Sequence, residues 1–209
     1  MLLVVAVNGS PRRDGNTVKL LASALEEALK LGAETVLLHA VEGMAGVKAP
    51  YCLHCSSPCK GTCYEGTRLA EMFGILRQAD GLILGSPVYF GTVAAPLKAF
   101  WDKTRRLRKE KALLNVVGGG VVTGASRFGG QEATLRALHD MMLSQGITIV
   151  GDGHLTDADA GHHGACAQEP VLNDQWGLDR ARVLGRRVFE VAQATAPLRG
   201  MCRAARASP

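Results

Sequence analysis

Long apolar runs are missing from this 209-residue sequence. Runs such as MLLVVAV at residues 1–7 fall far short of the about 20 residues needed to cross a bilayer. No basic region precedes that first run, so the expectation is a cytoplasmic protein with no secretory signal and no membrane partner. Basic residues interleaved with aromatics are also missing. Apart from RRLRKEK (Arg105 to Lys111) and the C-terminal stretch, Lys and Arg are scattered. That pattern gives no platform for single-stranded nucleic acid, and none is expected as a partner. Internal repeats and low-complexity segments are lacking. No Ser-His-Asp set or paired carboxylates can be argued, so no catalytic side chain is named.

What is present is an ordinary globular balance: 47% hydrophobic and 21% charged residues, with a formal charge of +5. The length fits one domain with a sizeable core. The modest positive charge suits anionic small molecules. LLVVAV (Leu2 to Val7) reads as a strand buried on both faces, as in parallel sheets. NTVKLLASALEEALKLG then shows helical spacing through Val18, Leu21, Leu25 and Leu29, ended by Gly32. ETVLLHA, GLILGSP, LLNVVGGGVVTG and ITIVG read as further strands. TRLAEMFGILRQAD, AAPLKAFWDKTRRL, GQEATLRALHDMMLSQG and DQWGLDRARVLGRRVFEVAQA read as helices between and after them. Five alternations of strand and helix predict a parallel sheet with helices on both faces. The domain is read as residues 1–194, with a long loop at 40–66 and a flexible tail at 195–209.

In such sheets ligands sit beyond the carboxyl ends of the strands, so the loops there hold the information. The first, NGSPRRDGNT (Asn8 to Thr17), offers hydroxyls, an amide and guanidinium groups beside a helix N-terminus, which suits a phosphate. It carries neither G-x-G-x-x-G nor G-K-[ST], so it is neither a dinucleotide fingerprint nor a P-loop. A plain turn with Asn16 or Thr17 capping the helix is the competing reading. In GSPVYFG, Tyr89 and Phe90 put two rings beside a glycine at a strand end, where they could stack on a planar ligand or belong to the core. TGASRFGGQEATL allows close backbone approach and brings Arg127. Leu97, Phe100 and Trp101 recur at helical spacing and read as core or subunit interface.

Taken together, GSPRRDGNT, SPVYFG with PLKAFWDK, and GGQEATL resemble, in order, the flavodoxin-like FMN reductase family, over roughly residues 1–150. The resemblance implies an α/β, flavodoxin-like three-layer sandwich with a five-stranded parallel sheet in the order 2-1-3-4-5. It implies FMN at the carboxyl edge. Ser10, Arg12, Asn16 and Thr17 would hold the phosphate. Pro87, Val88, Tyr89, Phe90 and Gly91 would line the ring, and Thr123, Gly124, Arg127, Gly129 and Gly130 would close its other side. NAD(P)H would be a donor, and the assembly a homodimer or homotetramer.

CLHCSSPCKGTC holds Cys52, Cys55, Cys59 and Cys63, four of the six cysteines, within the long loop. Disulfides are disfavoured in the cytoplasm. Structural zinc more often uses two separated C-x2-C pairs, whereas compact runs suit iron–sulfur clusters. Pro58 and Gly61 let the chain turn. Zinc, redox thiols and a 4Fe-4S cluster all stay open on the residues alone. The segment resembles the iron–sulfur flavoprotein branch, with a middle gap one residue longer and a last gap shorter than is usual there. That resemblance implies a 4Fe-4S cluster on the four cysteines and electron transfer between a reduced donor, NAD(P)H or ferredoxin, and an acceptor. It also implies the splitting of electron pairs between a two-electron and a one-electron centre. The alternatives are an NAD(P)H-dependent FMN or quinone reductase with structural or zinc-binding cysteines, and a redox-sensing binding protein. DGHLTDADAGHHGAC gathers His154, Asp157, Asp159, His162, His163 and Cys166 and reads as a polar loop rather than a second metal site. Cys166 and Cys202 read as ordinary thiols, and RRLRKEK as a solvated helix end.

Overall fold

The computed structural model describes residues 1–158 and 160–207. Asp159, Ser208 and Pro209 lie outside them. The strands are β1 (Leu3–Asn8), β2 (Glu34–His39), β3 (Gly81–Tyr89), β4 (Thr92–Val93), β5 (Val117–Gly124), β6 (Thr148–Ile149) and β7 (Ala165–Gln168). The helices are α1 (Asn16–Lys30), α2 (Ala40–Met44), α3 (Arg68–Leu76), α4 (Ala95–Asp102), α5 (Arg105–Lys109), α6 (Gln131–Leu143), α7 (Gln175–Ala194) and α8 (Ala196–Ala207). The sheet runs β2-β1-β3-β5-β6 with these neighbours parallel.

Seven strands replace the expected five in the order 2-1-3-4-5. The two additions are short. β4 folds back antiparallel on the end of β3, and β7 pairs parallel with the outer half of β5. The reason lies in β6, which pairs with β5 over only two residues, Val117↔Thr148 and Gly118↔Ile149. The rest of that edge would be bare, and a bare edge strand leaves N–H and C=O groups unpaired. The chain returns after residue 164, and β7 takes up Val121 to Gly124.

Side-chain alternation along the strands builds two cores. Val5, Val7, Leu82, Leu84 and Val122 face α3, α4 and α6, while Val4, Ala6, Ile83 and Val121 face α1 and α7. Leu97, Phe100 and Trp101 are buried in the first, as their spacing implies. Helices α1 and α7 approach closely at Gly185, where a Cβ would stand 2.1 Å from the Ala24 carbonyl oxygen. The helix expected over AAPLKAFWDKTRRL breaks into α4 and α5. Between them Thr104 turns its hydroxyl back to the Trp101 carbonyl at 2.6 Å and accepts from Gln145 at 2.6 Å.

The expected flexible tail is corrected. Ala196–Ala207 is helix α8, and its Arg199 is buried against Asp80 at 3.1 Å. Arg199 also donates to Thr195 Oγ1 and to the Ala192 carbonyl. Arg203 reaches Asp80 and the carbonyls of Gln78 and Ala79. A basic helix thus fastens to one buried carboxylate at the start of β3, and packed structure continues past residue 194. None of the helices among the described residues is long and apolar enough to cross a membrane.

Candidate functional site

The carboxyl ends of β1, β3 and β5 stand side by side, with Asn8 opposite Gly85 and Pro87 opposite Thr123. The three loops singled out from sequence therefore meet at one edge. Ser10 and Thr17 are buried, and Arg12 is exposed. The Ser10 hydroxyl accepts from the Arg12 backbone N–H at 3.1 Å. The α1 N-terminus at Gly15 has no side-chain cap, contrary to the plain-cap reading of Asn16 or Thr17. Asn16 instead accepts, through Oδ1, from the Val171 N–H at 3.1 Å, and Thr17 pairs its hydroxyl with that of Thr123 at 3.0 Å. Among the described residues these contacts leave the Ser10 O–H and the Asn16 amide N–H groups free to donate.

The second loop is shaped by Ser86, whose hydroxyl donates to Pro87 O at 2.8 Å and accepts from Ala94 N–H at 3.0 Å. That closure ends β3 in a tight return through Phe90 and Gly91, both at positive φ (50° and 79°). Tyr89 and Phe90 are exposed rather than core residues. Exposed rings held on a hairpin are a stacking surface in search of a planar partner. Gly130, at φ 94°, brings the third loop within contact range of Gly91 and Val88. Thr123 is buried, and Gly124 lies under Gln131, which anchors the loop by donating to Ser126 O at 2.6 Å. Arg127 and Phe128 project outward.

Two cavities flank these loops. One, of about 1150 Å³, is mostly apolar. Pro50 and Tyr51, just ahead of the cysteine segment, line it together with Tyr89, Phe90 and Pro96. The other, of about 1050 Å³, lies beyond the third loop between Arg127, Glu132, Gln168 and Trp176. Neither is lined by residues 8–17. The first loop is an open cradle at the sheet edge rather than a wall of an enclosed pocket.

All four clustered cysteines are free thiols, Cys55 exposed and the others partly buried. Burial pushes the Cys63 thiol up, Lys103 opposes that, and Cys55, Cys59 and Cys52 push it further by like-charge repulsion. The four thus share one electrostatic neighbourhood. Yet no three Cys, His, Asp or Glu side chains among the described residues converge on a metal position. The donor chemistry suits a soft, anionic metal–sulfur group, as does the setting. Lys103 is nearly buried close by, and Arg106 of α5 donates to the Lys60 carbonyl at 2.9 Å. The Tyr64 hydroxyl is buried with no hydrogen-bond partner among the described residues, its pKa pushed up to about 12 by burial and by Cys59. Gly61, at φ 78°, makes the turn expected of it, and a Cβ there would meet Tyr64 and Arg106 at 2.8 Å.

The RRLRKEK segment is more than a solvated end. Glu110 joins Arg77 (2.8 Å) to Arg106 (2.9 Å), fastening α5 to the end of α3, and Arg106 in turn reaches the cysteine segment at the Lys60 carbonyl. Burial works against the Glu110 carboxylate, but the bonds from both arginines leave its pKa below the ordinary value. The loop at 152–166 stays a polar fastening. Asp152 is fully buried, pairs with Arg180 at 3.0 Å and accepts from the His162 N–H at 2.6 Å. His154 bonds Thr156 and Glu190. Sequence reasoning missed Asn8, His39, Tyr64 and Lys103 as site residues. A polar residue ending a buried strand was the available signal for the first two. Tyr64 and Lys103 carried none.

An uncapped helix start, an aromatic hairpin and a glycine-rich third loop stand on one parallel-sheet edge, and the family to which the chain belongs makes it a flavin-dependent oxidoreductase. Residues 2–161 match the NADPH-dependent FMN reductase family, and the chain belongs to it, in its iron–sulfur flavoprotein branch. It is 40% identical over 192 residues to an iron-sulfur flavoprotein of Methanocaldococcus jannaschii, covering 91% of this chain and 97% of that one. It is 33% identical over 192 residues to an iron-sulfur flavoprotein of Methanosarcina thermophila, covering 91% and 95%. The fold is similar to a WrbA-like flavodoxin from Agrobacterium tumefaciens, with TM-score 0.67, 22% identity and coverage of 93% and 99%.

Proposed function

We propose that this oxidoreductase moves electrons between a reduced donor, NAD(P)H or a ferredoxin, and an acceptor, using FMN at the sheet edge and a 4Fe-4S cluster on Cys52, Cys55, Cys59 and Cys63. The observation that carries this is the shared groove. Tyr51, the residue before Cys52, lines one apolar cavity with Tyr89 and Phe90 of the aromatic hairpin. The start of the cysteine segment thus lies at the groove bordered by the hairpin that would stack on FMN.

Bound FMN supplies hydride acceptance and single-electron transfer. The chain's residues do the rest. Ser10, Asn16, the loop backbone and Arg12 hold the phosphate, with Thr17 tying this loop to Thr123. Pro87 to Gly91 present the stacking wall. Thr123, Gly124, Arg127, Gly129 and Gly130 border the ring edge, and the apolar side chains of the groove keep water away. The four thiolates would hold the cluster, with Lys103 and α5 offsetting its negative charge. Closing the thiols on a cluster requires the segment to draw together from the arrangement described above.

The deciding experiment is an absorption spectrum of protein purified without oxygen, with iron, zinc and sulfide counted on the same sample. Flavin bands with about four irons and four sulfides per chain are expected. Flavin with zinc or no metal would replace this reading by a second one, an NAD(P)H-dependent quinone reductase with structural cysteines. The separation of the thiols favours that alternative, and NAD(P)H dehydrogenases (quinone) are among the relatives, for example one of Paracoccus denitrificans at 34% identity over 140 residues. Quinone-dependent NAD(P)H oxidation surviving Cys→Ser changes would support it. In either case a homo-oligomer of two or four chains is the proposed assembly.

A further inference from the structure

The side chain that ends β2 is built into the phosphate loop from behind. Asn8 is fully buried at the end of β1 and is the register partner of His39. Its amide is committed in three directions. Oδ1 accepts from the Ser10 N–H at 3.0 Å. Nδ2 donates one hydrogen to the Arg12 carbonyl at 3.0 Å and meets His39 Nδ1 at 3.1 Å with the other.

The two backbone partners determine which way the amide faces. Flipped, it would set its NH2 against the Ser10 N–H and its oxygen against the Arg12 carbonyl, two repulsive pairs in place of two bonds. With the amide so oriented, His39 Nδ1 can only accept. The ring must therefore be neutral with its hydrogen on Nε2. A protonated ring carries a hydrogen on both nitrogens, and Nδ1–H would then oppose the Asn8 N–H.

We propose that His39 is a positioning residue for the cofactor's phosphate loop. As the neutral Nε2–H tautomer it holds Asn8, and through Asn8 the backbone of Ser10 and Arg12, in the geometry that takes the FMN phosphate; a proton on Nδ1 releases it. This rests on the assignment of residues 8–17 to the phosphate. Two charged groups face the ring, Glu42 of α2 and Arg13 of the loop itself, and they pair with each other at 2.5 Å. Burial lowers the His39 pKa, Glu42 works against that, and Arg13 adds to it. The ordered loop thus disfavours the proton. FMN affinity is full above the ordinary imidazole value of about 6.5 and is lost as pH falls through the lower value of the ordered loop.

The test is the dissociation constant of FMN and of riboflavin from the full, flavin-stripped chain between pH 5 and 8, in wild type, His39→Gln and His39→Leu. The Gln side-chain oxygen can accept from Asn8 but does not titrate. At pH 8, His39→Gln should bind FMN like wild type, and His39→Leu should bind it about tenfold more weakly. Below the His39 pKa the ratio of wild-type to His39→Gln dissociation constants should climb with falling pH toward the about tenfold loss of His39→Leu. Taking the ratio cancels the titration of the FMN phosphate itself. Riboflavin, which has no phosphate, should not respond to either substitution. If wild type and His39→Gln weaken in parallel while FMN still outbinds riboflavin, the role of His39 is overturned and the phosphate loop stands. If FMN and riboflavin bind equally in every variant, the loop assignment itself fails and takes the proposal with it. Nitrogen chemical shifts of the His39 ring at pH 8 give a readout independent of the variants: hydrogen on Nδ1 would also overturn the proposal.

Discussion

Cys166 sits in β7 with its thiol pushed up to about 12, by burial first and by Glu132 and Asp152 beyond that. A thiol in that state carries almost no thiolate at neutral pH, and the thiolate is the reactive form. Cys55, by contrast, is exposed. In flavin- and metal-free protein at pH 8, iodoacetamide should therefore label Cys55 well before Cys166, as peptide mass spectrometry would show. Equal labelling rates would mean that β7 does not shield its cysteine. The cradle makes a second residue-scale prediction. Asn16→Ala removes both the proposed donor for the phosphate and the tie to Val171. It should weaken FMN binding by about 1–3 kcal/mol, measured by flavin fluorescence quenching. Unchanged retention of FMN would remove Asn16 from the site. Cys55→Ser should abolish iron binding while leaving flavin in place, and unchanged iron content would take Cys55 out of the ligand set.

At the scale of single elements, α8 is the part whose weight was least visible. Its Arg199 is 2% exposed and meets Asp80, which also accepts from the Leu3 N–H at 2.9 Å. Removing one partner of a buried pair leaves the other charge without compensation, which costs about 3–5 kcal/mol. Truncation after residue 195, which removes Arg199 and Arg203 together, should lower stability by an amount of that order in urea unfolding, and Arg199→Ala by less, since Arg203 still reaches Asp80. A loose appendage would instead leave the unfolding midpoint where it was. The helical spacing of α8 is legible in APLRGMCRAARA only after its partner is known. Its few large apolar residues, Leu198 and Met201, are exposed, and what holds it is an ion pair to a residue far away in sequence.

For the whole molecule, pH acts through a few groups whose protonation the fold resists or favours. His39 and His139 both have lowered pKa values, burial being the first cause for each, and His139 Nε2 is buried without a hydrogen-bond partner among the described residues. The folded state therefore takes up these protons less readily than the unfolded chain. That stability is present above about pH 6.5 and is lost as pH falls through the lowered folded values. Glu110, also lowered, contributes above its ordinary value near 4.5 and loses its contribution below that. Two successive declines in Tm are expected on acidification, the first below about pH 6.5 and the second below about pH 4.5. His139→Gln should flatten the first. A Tm that stays constant from pH 7 to 5 would contradict this account.

Some of this protein was settled by local pattern. Continuous apolar runs such as Leu3 to Val7 suit only strands buried on both faces, and alternation with helices makes those strands parallel. A parallel sheet brings its carboxyl-end loops to one edge, and the three motifs on those loops name the family. What the sequence could not decide depends on partners distant along the chain. β6 is too short to cover β5, so β7 is recruited. Asn8 is oriented by the backbone around it and so dictates the tautomer of His39. Arg199 is held by Asp80, and the cysteine segment meets α5 where Arg106 donates to the Lys60 carbonyl. Periodicity records which face of an element is buried. Only the tertiary structure records which polar group across the molecule meets it, since a buried hydrogen bond or ion pair is specified by position in space rather than by spacing in sequence.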